Sequence, residues 1–218
     1  MRNSDWRPER LYEVRFSPAE RQHKEALWKI LCSRFLQQYV SRDATVVDLG
    51  AGFCEFINHI ECQHKFAVDT AAHTPASARA GVAVRSTLSE LEPGSADLVF
   101  CSNFFEHLPD KETMVATLAG IRRVLAPQGR LMIIQPNIYY AYREYWDYFD
   151  HHLALSHRSM EEILRATGFR ILRLIPRFLP YSTRSRLASY PFLLHLYLSL
   201  PFLRYLFGKQ MFVLAEKL

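Results

Sequence analysis

The chain has 218 residues, long enough for one domain with a real core and too short for two. Its composition is globular, 49% hydrophobic and 22% charged, and 27 Lys and Arg against 22 Asp and Glu leave a formal charge of +5. The cations are scattered, which speaks against nucleic acid, while residues 1–10 lack a secretory signal and no apolar run reaches the roughly 18 residues of a membrane span, so a cytoplasmic protein is expected.

Ser17-Pro18-Ala19-Glu20 announces the first element with a serine N-cap, proline at the first helical position and glutamate three residues after the cap. This helix is predicted to run to about Val40, burying Leu27, Ile30, Leu31, Phe35 and Val40. Short apolar runs at 45–49, 65–69, 82–85, 97–102 and 130–135 then alternate with helical stretches, the pattern of a parallel sheet covered on both faces. One intervening helix is predicted from Asp110 as N-cap through Met114, Leu118, Ile121 and Leu125, stopped by Pro127-Gln128-Gly129; another covers 160–166 and ends at Gly168. Strands over 170–177 and 210–216 close the domain. The cysteines Cys32, Cys54, Cys62 and Cys101 form no C-x-x-C pair and read as reduced thiols, mostly in the core.

The first strand runs into Asp48-Leu49-Gly50-Ala51-Gly52. Gly50 and Gly52 let the backbone turn tightly and approach a ligand, and 53–61 reads as the following helix, so the unit is a nucleotide-type site. A dinucleotide fingerprint would place a third glycine where Glu55 stands, and Asp48 and Glu55 would repel a pyrophosphate. S-adenosylmethionine (SAM), with sulfonium and ammonium groups and no phosphate, suits these carboxylates.

In element order and motifs the chain resembles the class I SAM-dependent methyltransferases, in their small-molecule branch. Asp48-Leu49-Gly50-Ala51-Gly52 is similar to that family's first motif, Ala67-Val68-Asp69 to its acidic end of strand two, and residues 96–103 to its fourth; Phe105-Glu106-His107-Leu108 and residues 122–130 continue the likeness. The resemblance implies an α/β Rossmann-like fold: a seven-stranded, mostly parallel sheet flanked by helices. It divides the single domain into an N-terminal helical extension (1–43), a cofactor core (44–178), an apolar helical insertion (179–209) and a last strand (210–218). It implies that Asp48, Gly50 and Gly52 hold the methionine end of SAM and that Asp69 accepts from the ribose hydroxyls, with Asn103 of the fourth motif also at the cofactor. Two departures stand out. Cys54 replaces a third glycine, and Arg85-Ser86-Thr87-Leu88 replaces the usual acidic adenine contact, which leaves Ser86, Thr87 or backbone near Leu88 for that role.

Methyl transfer to a hydroxyl requires the acceptor to be aligned and its proton removed, and histidine is the natural base near neutral pH. His107 follows strand four, and the cluster from Tyr145 to His152, with Asp150 and His152 as its further catalytic candidates, follows strand five. The plain alternatives are a capping role for Glu106 and His107 and a solvated helix with core aromatics for 145–152. Asp147, Asp150, His151 and His152 have metal-ligand chemistry, but adjacent histidines on a helix diverge by about 100°, and no metal is expected. The apolar insertion is divided by Pro191 and Pro201, interrupted by Arg204, and flanked by Arg173, Arg177, Arg184, Arg186 and Lys209. A peripheral membrane contact on the inner face, a homodimer or lid surface, and plain packing are the three readings for it. The functional expectation is methylation of a small or lipid- or carrier-linked metabolite, foremost a hydroxyl of a sugar or other polysaccharide or secondary-metabolite tailoring substrate. Its rivals are a non-catalytic SAM-binding scaffold, an N-methyltransferase and an RNA methyltransferase.

Overall fold

The computed structural model describes residue 11, residues 17–181 and residues 191–218. Helix α1 spans Pro18–Leu31, and its predicted capping box is complete: Ser17 Oγ accepts from the Glu20 N–H, and the Glu20 carboxylate from the Ser17 N–H. The helical path continues to Tyr39 as expected but changes hydrogen bonding, to a π turn over Cys32–Leu36 and a 3-10 turn over Gln37–Tyr39. Cys32, Phe35 and Leu36 of the π turn are all buried.

Strands β1 (Thr45–Leu49), β2 (His64–Val68), β3 (Val82–Arg85), β4 (Ala96–Ser102), β5 (Leu125–Pro136), β6 (Phe169–Ile175) and β7 (Gln210–Lys217) form one sheet in the order β3-β2-β1-β4-β5-β7-β6. The first five are parallel, and β7 enters antiparallel between β5 and β6. Between them lie α2 (Thr74–Ser77), α3 (Lys111–Val124), α4 (Ile138–Ala141), α5 (His157–Ala166), α6 (Pro191–Ser199) and α7 (Leu203–Phe207). Alternate strand residues face opposite cores. Val47, Leu49, Val99 and Cys101 pack with Leu118, Ile121 and Leu164 of α3 and α5, whereas Val46, Leu98 and Phe100 pack with Leu36, Ile57 and Phe212.

The Asp110 cap is observed, accepting from the Thr113 N–H at 2.7 Å. The helix stops one residue earlier than predicted, because Leu125 turns extended and pairs with Ala96 of β4. Residues 53–61 are also not a regular helix. Turns run over 53–59, and Cys54 at φ +61°, a left-handed conformation that a right-handed helix cannot include, breaks the segment at its start. The segment 179–209 does carry two short helices, α6 and α7; Leu194 and Tyr197 bury against Leu27 of α1, and Arg204 lies over the Phe35 and Phe178 rings. Arg184 and Arg186 lie outside the described residues. Among those residues no helix is long and apolar enough to cross a membrane, and the four cysteines are free.

The sheet order reverses direction between β1 and β4. A crevice must open beyond the carboxyl ends of those two strands, because the connections leave them toward opposite edges.

Candidate active site

At that switch point β1 ends in the glycine turn. Gly50 (φ +74°) donates its N–H to Val68 O at 2.9 Å, and a Cβ there would strike Phe104 Cδ2 at 2.5 Å. Gly52 (φ +50°) differs: a Cβ there would meet nothing within 4 Å and would fill the cradle itself. The Gly52 N–H donates to Asp69 Oδ2 at 2.7 Å, the Ala71 N–H to Asp69 Oδ1 at 2.8 Å, and Thr74 Oγ1 to Gly52 O at 2.9 Å. Asp69 therefore clamps the loops after β1 and β2 together, and each of its oxygens keeps a second lone pair for a ligand hydroxyl.

Three carboxylates converge here. Burial pushes the Asp48 carboxyl well above the usual range, Glu55 and Asp69 push it further, and a backbone hydrogen bond from Ile57 opposes them. Lys24 pairs with Glu55 at 3.0 Å. Cys54, buried with Sγ 3.7 Å from Thr74 O, has its thiol pushed up to about 12 by burial and then by Asp48, Glu55 and Asp69, and so stays protonated. The Asp69 carboxylate and the cradle open at Gly52 fit a hydroxyl-bearing ligand such as SAM, which the sequence motifs imply.

One end of the cleft is built from the turn after β3, where the sequence reading expects the adenine. Glu90 Oε1 accepts from the Ser86 and Thr87 N–H groups, each at 2.9 Å, and fixes Leu88–Glu90 as a 3-10 turn. Ser86, Thr87 and Leu88 line the cleft, but the first two N–H groups are already engaged, so a base would be met by side chains or by the turn around Leu88. Phe53, stacked on His73 at 4.2 Å, forms another wall that the sequence reading missed.

At the far end β4 ends at Ser102, and Asn103, with a φ of +47°, turns the chain sharply into the 3-10 turn Phe105–His107; the Asn103 N–H donates to Ile134 O of β5 at 2.9 Å. Glu106 is only 1% exposed. Its Oε2 accepts from Gln135 Nε2 at 2.8 Å, and its carbonyl from the His152 and Leu153 N–H groups. Burial raises its carboxyl above the ordinary value, while His107 and Gln135 work the other way. His107 Nδ1 lies 2.9 Å from Asp150 O and 3.3 Å from Asp150 Oδ2. Its ring meets His151 edge-on at 5.1 Å, and His151 stacks on Tyr148.

Of the three catalytic candidates, His107 lines the cleft, and Asp150 backs it from behind. His152 is exposed and outside the lining; its neighbour His151 faces the cleft instead. The segment 151–156 is irregular rather than helical, so helical spacing could not tell which histidine turns inward. Glu106, Gln135 and Phe104 were also missed, although Phe105-Glu106-His107-Leu108 was the signal for the first.

The cleft runs from Ser86–Ser89 past Gly50, Gly52 and Asp69 to His107, Tyr148 and Tyr181, with a volume of about 1360 Å³. Single-ligand pockets are typically about 300 to 1,000 Å³, so a cofactor and an acceptor fit together.

A family model described as a methyltransferase domain matches residues 20–174, well over half of the chain. No curated protein sequence matches. Among solved structures, a SAM-dependent methyltransferase from Archaeoglobus fulgidus is similar at 20% identity and TM-score 0.67, covering 97% of this chain and 100% of that one. A possible histamine N-methyltransferase from Thermotoga maritima has TM-score 0.67 at 16% identity, covering 96% and 97%. The putative methyltransferase in complex with the Trm112 activator from Haloferax volcanii has TM-score 0.65 at 16% identity, covering 90% and 92%. With the family's sheet order, its glycine turn and a model match over most of its length, the chain belongs to the class I SAM-dependent methyltransferases.

Proposed function

We propose that this methyltransferase acts on a hydroxyl of a small or carrier-linked metabolite, a sugar or similar tailoring substrate, in the cytoplasm. The observation that carries this reading is the Asp150–His107 pair at the acceptor end of the cleft. SAM supplies an electrophilic methyl on its sulfonium. Asp48 and the Gly50–Gly52 turn hold its amino-acid end, Asp69 its ribose, Thr87 and Leu88 the adenine side, and Asn103 shapes the floor between cofactor and acceptor. Asp150 O accepts from His107 Nδ1–H, which leaves Nε2 as the lone-pair nitrogen that takes the acceptor's proton. Tyr148, Phe149 and Tyr181 wall the acceptor's place and suit the faces of a polar ring.

Assays with SAM across glycans and lipid-linked intermediates, read as S-adenosylhomocysteine formed, test the reading. Turnover confined to amines or RNA would overturn it, and intact SAM binding with no turnover on any acceptor would favour the scaffold alternative. The exposed Phe192, Phe202, Tyr205 and Leu206 of 179–209 form the surface where a lipid-linked carrier or a second copy of the chain would dock. Liposome co-sedimentation at low salt and sedimentation velocity tell these occupants apart.

A further inference from the structure

Two side chains from the turn after β4 and one from the loop after β5 meet at the acceptor end. One ligand atom each from Glu106, His107 and His151 lie within 4.8 Å of one another. Glu106 Oε1 and His107 Nε2 are 3.9 Å apart, too long for a hydrogen bond, with neither closing on the other.

Two of these three groups have hydrogen-bonded supports of the kind found behind metal ligands, and the third is held by aromatic rings. Gln135 Nε2 holds Glu106 Oε2 and leaves Oε1 toward the imidazoles. Asp150 holds His107 Nδ1 and leaves Nε2 on the Glu106 side. Tyr148 stacks on one side of His151, and Tyr145 meets its ring edge-on at 4.8 Å. All three side chains line the cleft, so a ligand there would also touch an acceptor.

We propose that Glu106, His107 and His151 bind a divalent first-row transition cation at the acceptor end of the cleft. Two imidazoles with one carboxylate suit Mn, Fe, Co or Zn better than Ca or Mg, which prefer all-oxygen sites. Metal–ligand bonds of about 2.1 Å put neighbouring ligand atoms roughly 3.0 to 3.4 Å apart, so the three side chains close by on the order of 1 Å on binding. Three protein ligands leave a coordination position open, and an acceptor hydroxyl fills it.

The consequence for catalysis, though not the binding itself, rests on the hydroxyl-acceptor reading above. An oxygen bound to the cation loses its proton to water more readily, its lone pair forms the new C–O bond, the S–C bond breaks, and S-adenosylhomocysteine departs. His107 is then a ligand, and the free imidazole base is not needed. This departs from the expectation of no metal, which considered residues 147–152 as a helix and lacked Glu106 and His107 as partners.

The test is calorimetric and visible-absorption titration of the chelator-stripped full chain with CoCl2, with MgCl2 as comparison and no acceptor present. The expected result is one saturable Co site with d–d absorption, abolished in Glu106→Gln and in His151→Ala, and weakened about 10- to 100-fold in Gln135→Leu, which removes the amide that holds Glu106 Oε2, the range for losing a residue that orients a ligand. The exposed His64→Ala variant keeps the site. SAM affinity is measured on every variant as the check that it is folded. Absence of saturable Co binding in the wild type, or binding that survives both Glu106→Gln and His151→Ala, overturns the proposal and leaves His107 as the base; the transferase reading falls only if no acceptor is turned over with or without metal.

Discussion

At the cofactor end the groups facing the cleft are fixed by main-chain contacts: Asp69 by the Gly52 and Ala71 N–H groups, Gly50 by Val68 O, Ser86 and Thr87 by the Glu90 cap. At the acceptor end the fixing is done by side chains on other side chains or on distant carbonyls: His107 by Asp150, Glu106 by Gln135, His151 by Tyr148. The rim there is also open, with Trp146 57% and Phe149 76% exposed. Backbone geometry recurs wherever the turn recurs, which suits a ligand that all members of a family share. Side-chain geometry changes with single substitutions, which suits the part that distinguishes one acceptor from another.

If the two ends are separable and His107 takes the acceptor's proton, His107→Ala lowers kcat by about 10²- to 10⁴-fold, the usual contribution of a positioned proton acceptor, while the SAM Kd stays unchanged. Single-turnover kinetics and calorimetry read the two quantities separately. A SAM affinity that fell with kcat would break the comparison. Asp69→Ala gives the converse. Each hydrogen bond to a charged group contributes about 1.5 to 3 kcal/mol, so losing two ribose bonds weakens SAM binding by on the order of 100-fold or more. Unaltered binding in that variant would remove the ribose assignment.

The glycines sharpen the contrast inside the cofactor end. A left-handed conformation costs a residue with a Cβ about 1 to 2 kcal/mol, so Gly50→Ala and Gly52→Ala both lose that much stability. Gly50→Ala loses more, because its Cβ enters the Phe104 ring at 2.5 Å. Gly52→Ala, with open space around its Cβ, keeps the fold and loses SAM affinity instead. Thermal unfolding with and without SAM distinguishes them; the reverse ranking would place the cradle elsewhere.

A pH series reaches the same carboxylates. Asp48 has a raised carboxyl pKa in the folded chain, so between the ordinary carboxylate range and that raised value the unfolded state has released a proton that the folded state keeps. Stability without cofactor therefore falls as pH rises through this window, by about 1.4 kcal/mol per unit for one group, and the slope is smaller in Asp48→Asn. Identical slopes in the two proteins would mean that Asp48 is not strained by its burial.

The same contrast explains what could be read from the sequence. The spans 45–49 and 82–85 are those of β1 and β3, because both strands are short, mostly apolar runs whose ends are marked by local turn chemistry. The Ser17 and Asp110 caps are equally local. Cys54 stood out as the irregular residue of the glycine turn, and it holds the left-handed conformation that breaks the expected helix at its start. The acceptor end was legible as a composition of aromatics, acids and imidazoles but not as an arrangement. Glu106 meets Gln135 across 29 positions, and His107 meets Asp150 across 43. Such pairs exist only once β4 and β5 lie side by side.

The smallest expected effect on stability falls at the rim. Phe149 and Tyr205 are 76% and 73% exposed, and only the former lines the cleft. Replacing either by Ser changes unfolding free energy by no more than about 0.5 kcal/mol, as for most surface sites. Their functions separate. Phe149→Ser removes an aromatic face from the acceptor's place, so it raises KM for a ring-bearing acceptor and leaves the SAM Kd alone. If the 179–209 surface docks a lipid-linked carrier, Tyr205→Ser, on α7, leaves KM for a water-soluble acceptor unchanged and raises it only for a lipid-linked one. Equal effects of both substitutions on a soluble acceptor would mean that the 179–209 segment reaches over the active site, and the acceptor end would then extend to α7.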